Sequence, residues 1–263
     1  MINSQPTIMI VLIIVLVLAI LILLINYNRN SHRYKQKGLF SNWPISSISL
    51  DQLDPIFQTN EYGPTLDTTV HFIGRGDLNV PGGTSDSEAW VLSVLSKKAN
   101  NIFEFGTCTG KTAYLFAKNS AENSRVTTLT LSPDQVTDYK NDLSDNSKST
   151  KEAKKESVFV KFLYSGTPEE KKITQLFCDS KHFDESSSAG KMDLIFVDGS
   201  HAFSYVMSDS EKAFKMIAPA GIIIWHDYRG PIITRDVFKA LNEIAKKRKL
   251  VHIKGTSLVV FKA

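Results

Sequence analysis

Residues Ile8 to Ile25 form an unbroken run of 18 apolar side chains, and this run restricts what the chain can become more than any other feature. At 1.5 Å per residue, a helix of that length covers about 27 Å of a hydrocarbon core that is about 30 Å thick. Each Leu, Ile or Val contributes roughly −0.3 to −0.6 kcal/mol to insertion, so the run sums to about −5 to −10 kcal/mol with no charge opposing it. A cleaved secretory signal is the alternative. It calls for a basic leader, a shorter apolar stretch and a small-residue cleavage site, whereas residues 1–7 carry no charged side chain and Asn26-Tyr27-Asn28-Arg29 follows the run. Residues 1–28 therefore read as a single-pass anchor that crosses the membrane through residues 8–25. Arg29, Arg33, Lys35 and Lys37 lie on its C-terminal side with no acid among residues 1–37. The positive-inside rule then places the rest of the chain in the cytoplasm.

These four residues also account for the whole formal charge of +4, from 31 Lys+Arg and 27 Asp+Glu. Residues 38–263 are formally neutral, which argues against a nucleic-acid domain working by phosphate neutralisation. Two cysteines, Cys108 and Cys178, are too few for a disulfide framework or a thiolate metal cluster, and they suit a reducing compartment.

Residues 29–84 read as a basic juxtamembrane segment and linker, because Pro44, Pro55, Pro64, Pro81 and Gly82-Gly83 interrupt any sustained period. From Ser85 the pattern changes. Short apolar runs at Asn101–Phe105, Arg125–Leu131, Ile173–Cys178, Met192–Val197 and Gly221–Trp225 alternate with helical periodicity near 109–118, 202–217 and 234–247. Such alternation implies a parallel sheet covered on both faces, joined by right-handed crossovers. Leu250–Ile253 and Ser257–Phe261 suggest an antiparallel pair at the sheet edge. Residues 85–263 then form one domain. Residues 142–172, rich in Ser, Lys and Glu, read as a surface insertion around one strand at Val158–Tyr164.

Ligands of an open parallel sheet bind at the carboxyl ends of its strands. After the first run comes Glu104-Phe105-Gly106-Thr107-Cys108-Thr109-Gly110-Lys111-Thr112. A Walker A loop needs G-x-x-x-x-G-K-[ST], and here the glycines are one residue too close. A dinucleotide fingerprint fails as well, since Cys108 stands where its second glycine belongs. What remains is acid-x-Gly-x-x-x-Gly. A carboxylate beside the turn is ill suited to an anion and electrostatically sensible for a cationic cofactor. Further along, Asp179-Ser180 ends the third run, Asp198-Gly199-Ser200-His201 follows the fourth, and His226-Asp227-Tyr228 follows the fifth.

In this order the motifs resemble the class I S-adenosylmethionine-dependent methyltransferases, in particular a branch with D-G-x-H and H-D-Y motifs; the resemblance runs from about Ser85 to Phe261. It implies a Rossmann-like, doubly wound, mostly parallel seven-stranded sheet with an antiparallel last strand, here preceded by one transmembrane helix. It also implies S-adenosyl-L-methionine as cofactor, with Glu104, Gly106, Thr107 and Gly110 holding the methionine part. Asp179, with Ser180 beside it, would meet the adenine amine, and Asp198 would lie near the reacting methyl. One position departs from the family: where it carries an acid that grips the ribose hydroxyls, this chain has Thr130, and Asp134 stands four residues late.

Two chemical routes to an alcohol or phenol acceptor stay open. Asp198, His201, His226 and Asp227 are the candidate catalytic residues, one of them acting as a His or Asp base. Alternatively, Asp198 and Asp227 bind a divalent cation such as Mg²⁺ that lowers the acceptor's pKa. The expected activity is O-methylation of a small hydroxylated, sugar or lipid-linked acceptor, and the oligomeric state is left open. The competing reading is a membrane-anchored binding or scaffold protein that keeps the fold without turnover, for which Thr130 is the best support.

Overall fold

The computed structural model describes residues 5–34, 43–75, 83–139 and 142–263. Lys35, Lys37 and the Pro81-Gly82 pair lie outside these residues. Helix α1 (Gln5–Tyr34) contains the apolar run. Its Ile8–Tyr27 stretch is long and apolar enough to cross a bilayer, and none of its residues is buried.

The domain is built on one sheet of eight strands. In chain order these are β1 (Ser47–Ile48), β2 (Asn101–Phe105), β3 (Arg125–Thr130), β4 (Ile173–Phe177), β5 (Met192–Val197), β6 (Ile217–Trp225), β7 (Val251–Ile253) and β8 (Val259–Lys262). Their spatial order is β1-β7-β8-β6-β5-β2-β3-β4. The pairs β6·β5, β5·β2, β2·β3 and β3·β4 are parallel, and β8 runs antiparallel to both β6 and β7. The central strands are apolar on both faces: Ile102, Phe103, Phe105, Leu194, Ile195, Phe196, Ile223 and Ile224 are all fully buried. That is the signature of a parallel sheet covered by helices on each side. Helices α2 (Asp86–Ser96), α3 (Lys111–Asn119), α4 (Ser147–Glu156), α5 (Phe203–Met216) and α6 (Arg235–Ala245) follow in chain order.

Three expectations need correction. The sheet has eight strands rather than seven, because Ser47–Ile48 adds a short parallel edge beside β7. The expected antiparallel pair, β7·β8, forms, but β1 takes the edge outside β7, and β8 lies between β6 and β7. Val158–Tyr164 forms no strand. It is a chain of turns whose Phe162 and Tyr164 rings stack at 5.3 Å and are buried. Residues 43–75 contribute Ile45, Leu53 and Phe57 to the core, so the proline-rich stretch is packed wherever it is described. The insertion is docked too, with Ser149, Thr150, Ala153 and Ser157 buried.

Candidate active site

Strand order brings the chain's polar residues together. β2, β5 and β6 are neighbours, so the loops after them meet at one end of the sheet. Gly106 is where they touch. Its φ is +100°, and a Cβ there would stand 2.1 Å from the Asp198 carbonyl oxygen. Only glycine allows both this conformation and this approach. The Asp198 N–H donates to the Phe105 carbonyl at 2.9 Å, tying the two loops. Gly110, with φ +77°, lies under Phe162 and Tyr164, whose atoms would be 2.8 Å from an added Cβ. The sequence spacing Gly-x-x-x-Gly thus reflects two close approaches, one to the neighbouring strand's loop and one to the insertion.

Beneath this turn runs a buried relay of hydrogen bonds. Tyr164 Oη donates to Gln175 Oε1 at 2.6 Å, and Gln175 Nε2 to Thr107 Oγ1 at 3.1 Å. Thr107 and Thr128 hydroxyls meet at 2.7 Å, and Thr128 Oγ1 donates to Glu104 Oε2 at 2.6 Å. Glu104 is the terminal acceptor. Burial, with the nearby Asp198 charge, raises its carboxyl to about 8 despite the bond from Thr128. It supports the loop from below.

Asp198, His201, His226 and Asp227 converge. His226 Nδ1 lies 3.0 Å from Asp198 Oδ1, and His201 Nε2 lies 3.1 Å from Asp227 Oδ2 and 3.9 Å from Asp198 Oδ1. Asp227 adopts φ +64°, a conformation costly for a non-glycine residue. Its N–H donates to Ser257 Oγ at 3.2 Å, and Arg229 Nη2 lies 2.7 Å from its Oδ1. The fifth member of the group is Glu88, which the sequence reading passed over. It closes the capping box of α2 with Ser85, accepts from Ser257 N and Oγ at 2.6 and 2.7 Å, and stands 3.3 Å from His226 Nε2.

His226 is therefore held between two carboxylates in the interior. Burial by itself would lower its pKa, but the charges of Asp198 and Asp227 and the bonds to Asp198 and Glu88 raise it well above 6.5. Burial would likewise raise the carboxyls of Glu88 and Asp198. The bond and charge of His226 outweigh it for Glu88, as the charges and bonds of His226 and His201 do for Asp198, and both stay below the usual range. His226 is an imidazolium locked in place by its two ring nitrogens, while His201, 17% exposed, faces the larger cavity.

Two cavities open at the strand ends. The smaller, open to solvent, holds about 530 Å³ of empty space and is walled by Thr130, Tyr139, Asp179, Ser180, Tyr205 and Asp209, among others. Tyr139 and Tyr205 stack there at 4.5 Å. Asp179 is engaged at both oxygens, by the Lys181 N–H at 2.9 Å and the Tyr205 hydroxyl at 2.8 Å. Asp209 is buried, its carboxyl raised to about 7 mainly by burial and bonded by Ser180, while its Oδ1 lacks a hydrogen-bond partner. The larger cavity spans about 1500 Å³ and is lined by Thr107, Lys111, Asp198, His201, Asp227 and Arg229, among others. Glu104 and Gly110 line neither cavity. Trp225 is core, 1% exposed, its Nε1 donating to Ser210.

The strand order, the antiparallel insertion of the last strand and the glycine turn after β2 define a Rossmann-like methyltransferase fold. Residues 103–228, just under half of the chain, match the model of a family described as a methyltransferase domain. The match supports a methyltransferase domain over this stretch. No curated protein matches the chain. Among solved structures it is similar to the O-methyltransferase TomG from Streptomyces achromogenes, involved in tomaymycin synthesis and solved with SAM (15% identity, 71% of this chain and 82% of that one, TM-score 0.46). It is similar to the SAH-bound methyltransferase PaMTH1 of Podospora anserina (15% identity, 69% and 80%, TM-score 0.47). It also resembles a Bacillus cereus O-methyltransferase in complex with SAH (18% identity, 69% and 82%, TM-score 0.43). These likenesses are too distant to inform the acceptor.

Proposed function

We propose that this chain is a membrane-anchored O-methyltransferase whose domain faces the cytoplasm, with S-adenosylmethionine across the two cavities and the acceptor hydroxyl beside His201. The observation that carries the reading is the His201–Asp227 pair at 3.1 Å on the wall of the larger cavity, next to Asp198.

The residues present fit the cofactor. The smaller cavity offers an aromatic wall, a buried carboxylate and the orphaned Asp209 oxygen, which suit a purine with an exocyclic amine. The Gly106 turn brings bare backbone to the wall of both cavities. When bound, S-adenosylmethionine supplies a methyl group on a sulfonium, ready for in-line displacement. The chain's own residues do the rest. Asp227 Oδ2, 3.1 Å from His201 Nε2, orients the ring and stabilises the imidazolium that forms when His201 takes the acceptor's hydroxyl proton. Asp198, fixed by His226, would offer a negative charge to the cationic sulfonium. Lys111, Lys148, Lys155 and Arg229 on the larger cavity's wall favour an acceptor that carries an anionic group, including one linked to a lipid.

A second route rests on Asp198, His201 and Asp227, each offering one ligand atom within 4.8 Å of the others. A divalent cation there would acidify the acceptor hydroxyl. The donor set suits Mg²⁺ poorly, because Mg²⁺ prefers oxygen ligands in octahedral geometry and keeps several waters, while each carboxylate here already faces a cationic partner. The base route is therefore preferred. His201→Ala is expected to lower kcat by about 10²–10⁴-fold with S-adenosylmethionine affinity unchanged, and activity is expected to survive EDTA. Full activity in His201→Ala would refute the base, and abolition by EDTA with recovery on Mg²⁺ would establish the metal.

A further inference from the structure

We propose that the segment 229–235, at the mouth of the larger cavity, docks into the surface of the bilayer that α1 crosses, so that the cavity opens onto lipid. The inference rests on the membrane-anchored reading above.

The segment reads Arg-Gly-Pro-Ile-Ile-Thr-Arg, with apolar side chains at its centre, an arginine at each end and no acid. Ile232 is 86% exposed and Ile233 37%, and Arg229, Pro231 and Arg235 are exposed beside them. Water is a poor solvent for such a tip. At a membrane interface the isoleucines enter the acyl boundary while the guanidinium groups stay among the headgroups. Anionic lipids on that surface attract the two arginines further. Tyr62 and Leu66 are just as exposed, but Glu61 and Asp67 stand exposed next to them, and the same surface would repel those charges.

The chain itself brings the segment to a membrane. Helix α1 ends at Tyr34, and Trp43 is the next residue described. An extended chain advances at most about 3.6 Å per residue, so Trp43 stays within about 32 Å of Tyr34. Trp43 packs directly against the segment: a Cβ on Gly230 would stand 2.8 Å from its ring, which also meets the Tyr228 ring at 4.9 Å and the Phe238 ring at 5.4 Å between centroids. The tether is therefore fastened beside the Ile232 tip. Meeting the bilayer becomes an intramolecular event for this part of the domain, favoured by a high effective concentration.

The same segment borders the site. Arg229, Ile233 and Thr234 line the larger cavity together with His201 and Asp227. Lys148 and Lys155 of α4 line it too, and Lys151 and Lys154 of that helix are exposed. The starts of α4 and α6 are joined where the Asn146 N–H donates to Asp236 Oδ2 at 2.8 Å. Basic side chains from two elements thus frame the cavity mouth around the apolar tip. Docked in this way, the mouth admits a hydroxyl borne on a lipid headgroup without drawing the lipid out of the bilayer.

The test is photolabelling of the full chain in vesicles of phosphatidylcholine and phosphatidylserine, with a trace of phosphatidylcholine that carries a diazirine on its acyl chain. After irradiation and denaturation, trypsin cuts at Arg29, Arg229 and Arg235 and so releases residues 1–29 and 230–235 as separate peptides. Lipid adducts are expected on both. Ile232→Asp should lower labelling of 230–235 by about ten-fold or more, since a carboxylate strongly disfavours insertion, and leave 1–29 labelled as before. Omitting phosphatidylserine should lower it about five-fold or more through the arginines. Adducts on 1–29 with none on 230–235, or labelling of 230–235 that Ile232→Asp leaves unchanged, overturn this inference alone. Absence of adducts on both peptides overturns the anchor reading and this inference with it.

Discussion

Replacing Glu88 by Gln removes one charge from the centre of the site while keeping its shape, and the structure allows its cost to be worked out. Glu88 is 3% exposed, pairs with the His226 imidazolium at 3.3 Å and accepts two bonds from Ser257 and two from Ser85. Glutamine offers one acceptor oxygen and presents N–H groups to a partner that is itself a donor. Removing one member of a buried ion pair costs about 3–5 kcal/mol, because the other charge is left uncompensated. At a urea slope of about 2 kcal/mol/M this moves the unfolding midpoint down by roughly 2 M. The assay is urea unfolding of the full chain followed by tryptophan fluorescence, repeated across pH. Glu88 has a folded-state pKa below its ordinary 4.5, so its contribution is present above pH 4.5 and is lost as the pH falls below it. The gap between wild type and variant should therefore be full at pH 6 and shrink below pH 4.5. His226 has the opposite sign. Its folded pKa lies above 6.5, so its contribution is complete below pH 6.5 and declines as the pH rises through the folded value. A loss under about 1 kcal/mol, or a gap that stays constant on acidification, would refute a charged Glu88–His226 pair.

Other outcomes follow from the same geometry. Gly110→Ala must adopt φ +77° and meet Phe162 and Tyr164; it is expected to cost about 1–3 kcal/mol of stability and to weaken S-adenosylhomocysteine binding, both read by thermal shift with and without ligand. Glu104→Gln should stabilise the domain at pH 8 and above by about 1–3 kcal/mol. The Glu104 carboxyl is raised from 4.5 to about 8, so the wild type loses stability as pH climbs between those values, and melting curves of the two proteins should converge near pH 4.5. Protease added to the cytoplasmic face of sealed vesicles should digest residues 38–263; protection there would reverse the proposed topology.

The parallel strands were legible because strands buried on both faces leave uninterrupted apolar runs, and β2 to β6 fall within a few residues of them. The approach of Asp198 to Asp227 was legible too, since it needs only β5 beside β6. What escaped has physical causes. Ser47–Ile48 pairs through two residues, too short for any periodicity. Phe159, Phe162 and Tyr164 gave Val158–Tyr164 the look of a strand, yet their side chains were answering to the core and to the bare backbone of Gly110. Glu88 carries a helix-capping signature, and nothing local betrays that its carboxylate also meets a histidine 138 positions away and a serine 169 positions away.

Those long separations have a kinetic meaning. Glu88, His226 and Ser257 come from α2, the end of β6 and the turn before β8, which lies between β6 and β7. Contacts between such remote segments form late, after shorter loops have closed. A folding intermediate holding the parallel strands but lacking β8 would leave Glu88 without Ser257 and Asp227 without the hydroxyl that receives its N–H. The proposed site is thus complete only when these remote segments meet: methyl transfer should appear in refolding with the slowest phase, behind any signal from the parallel core.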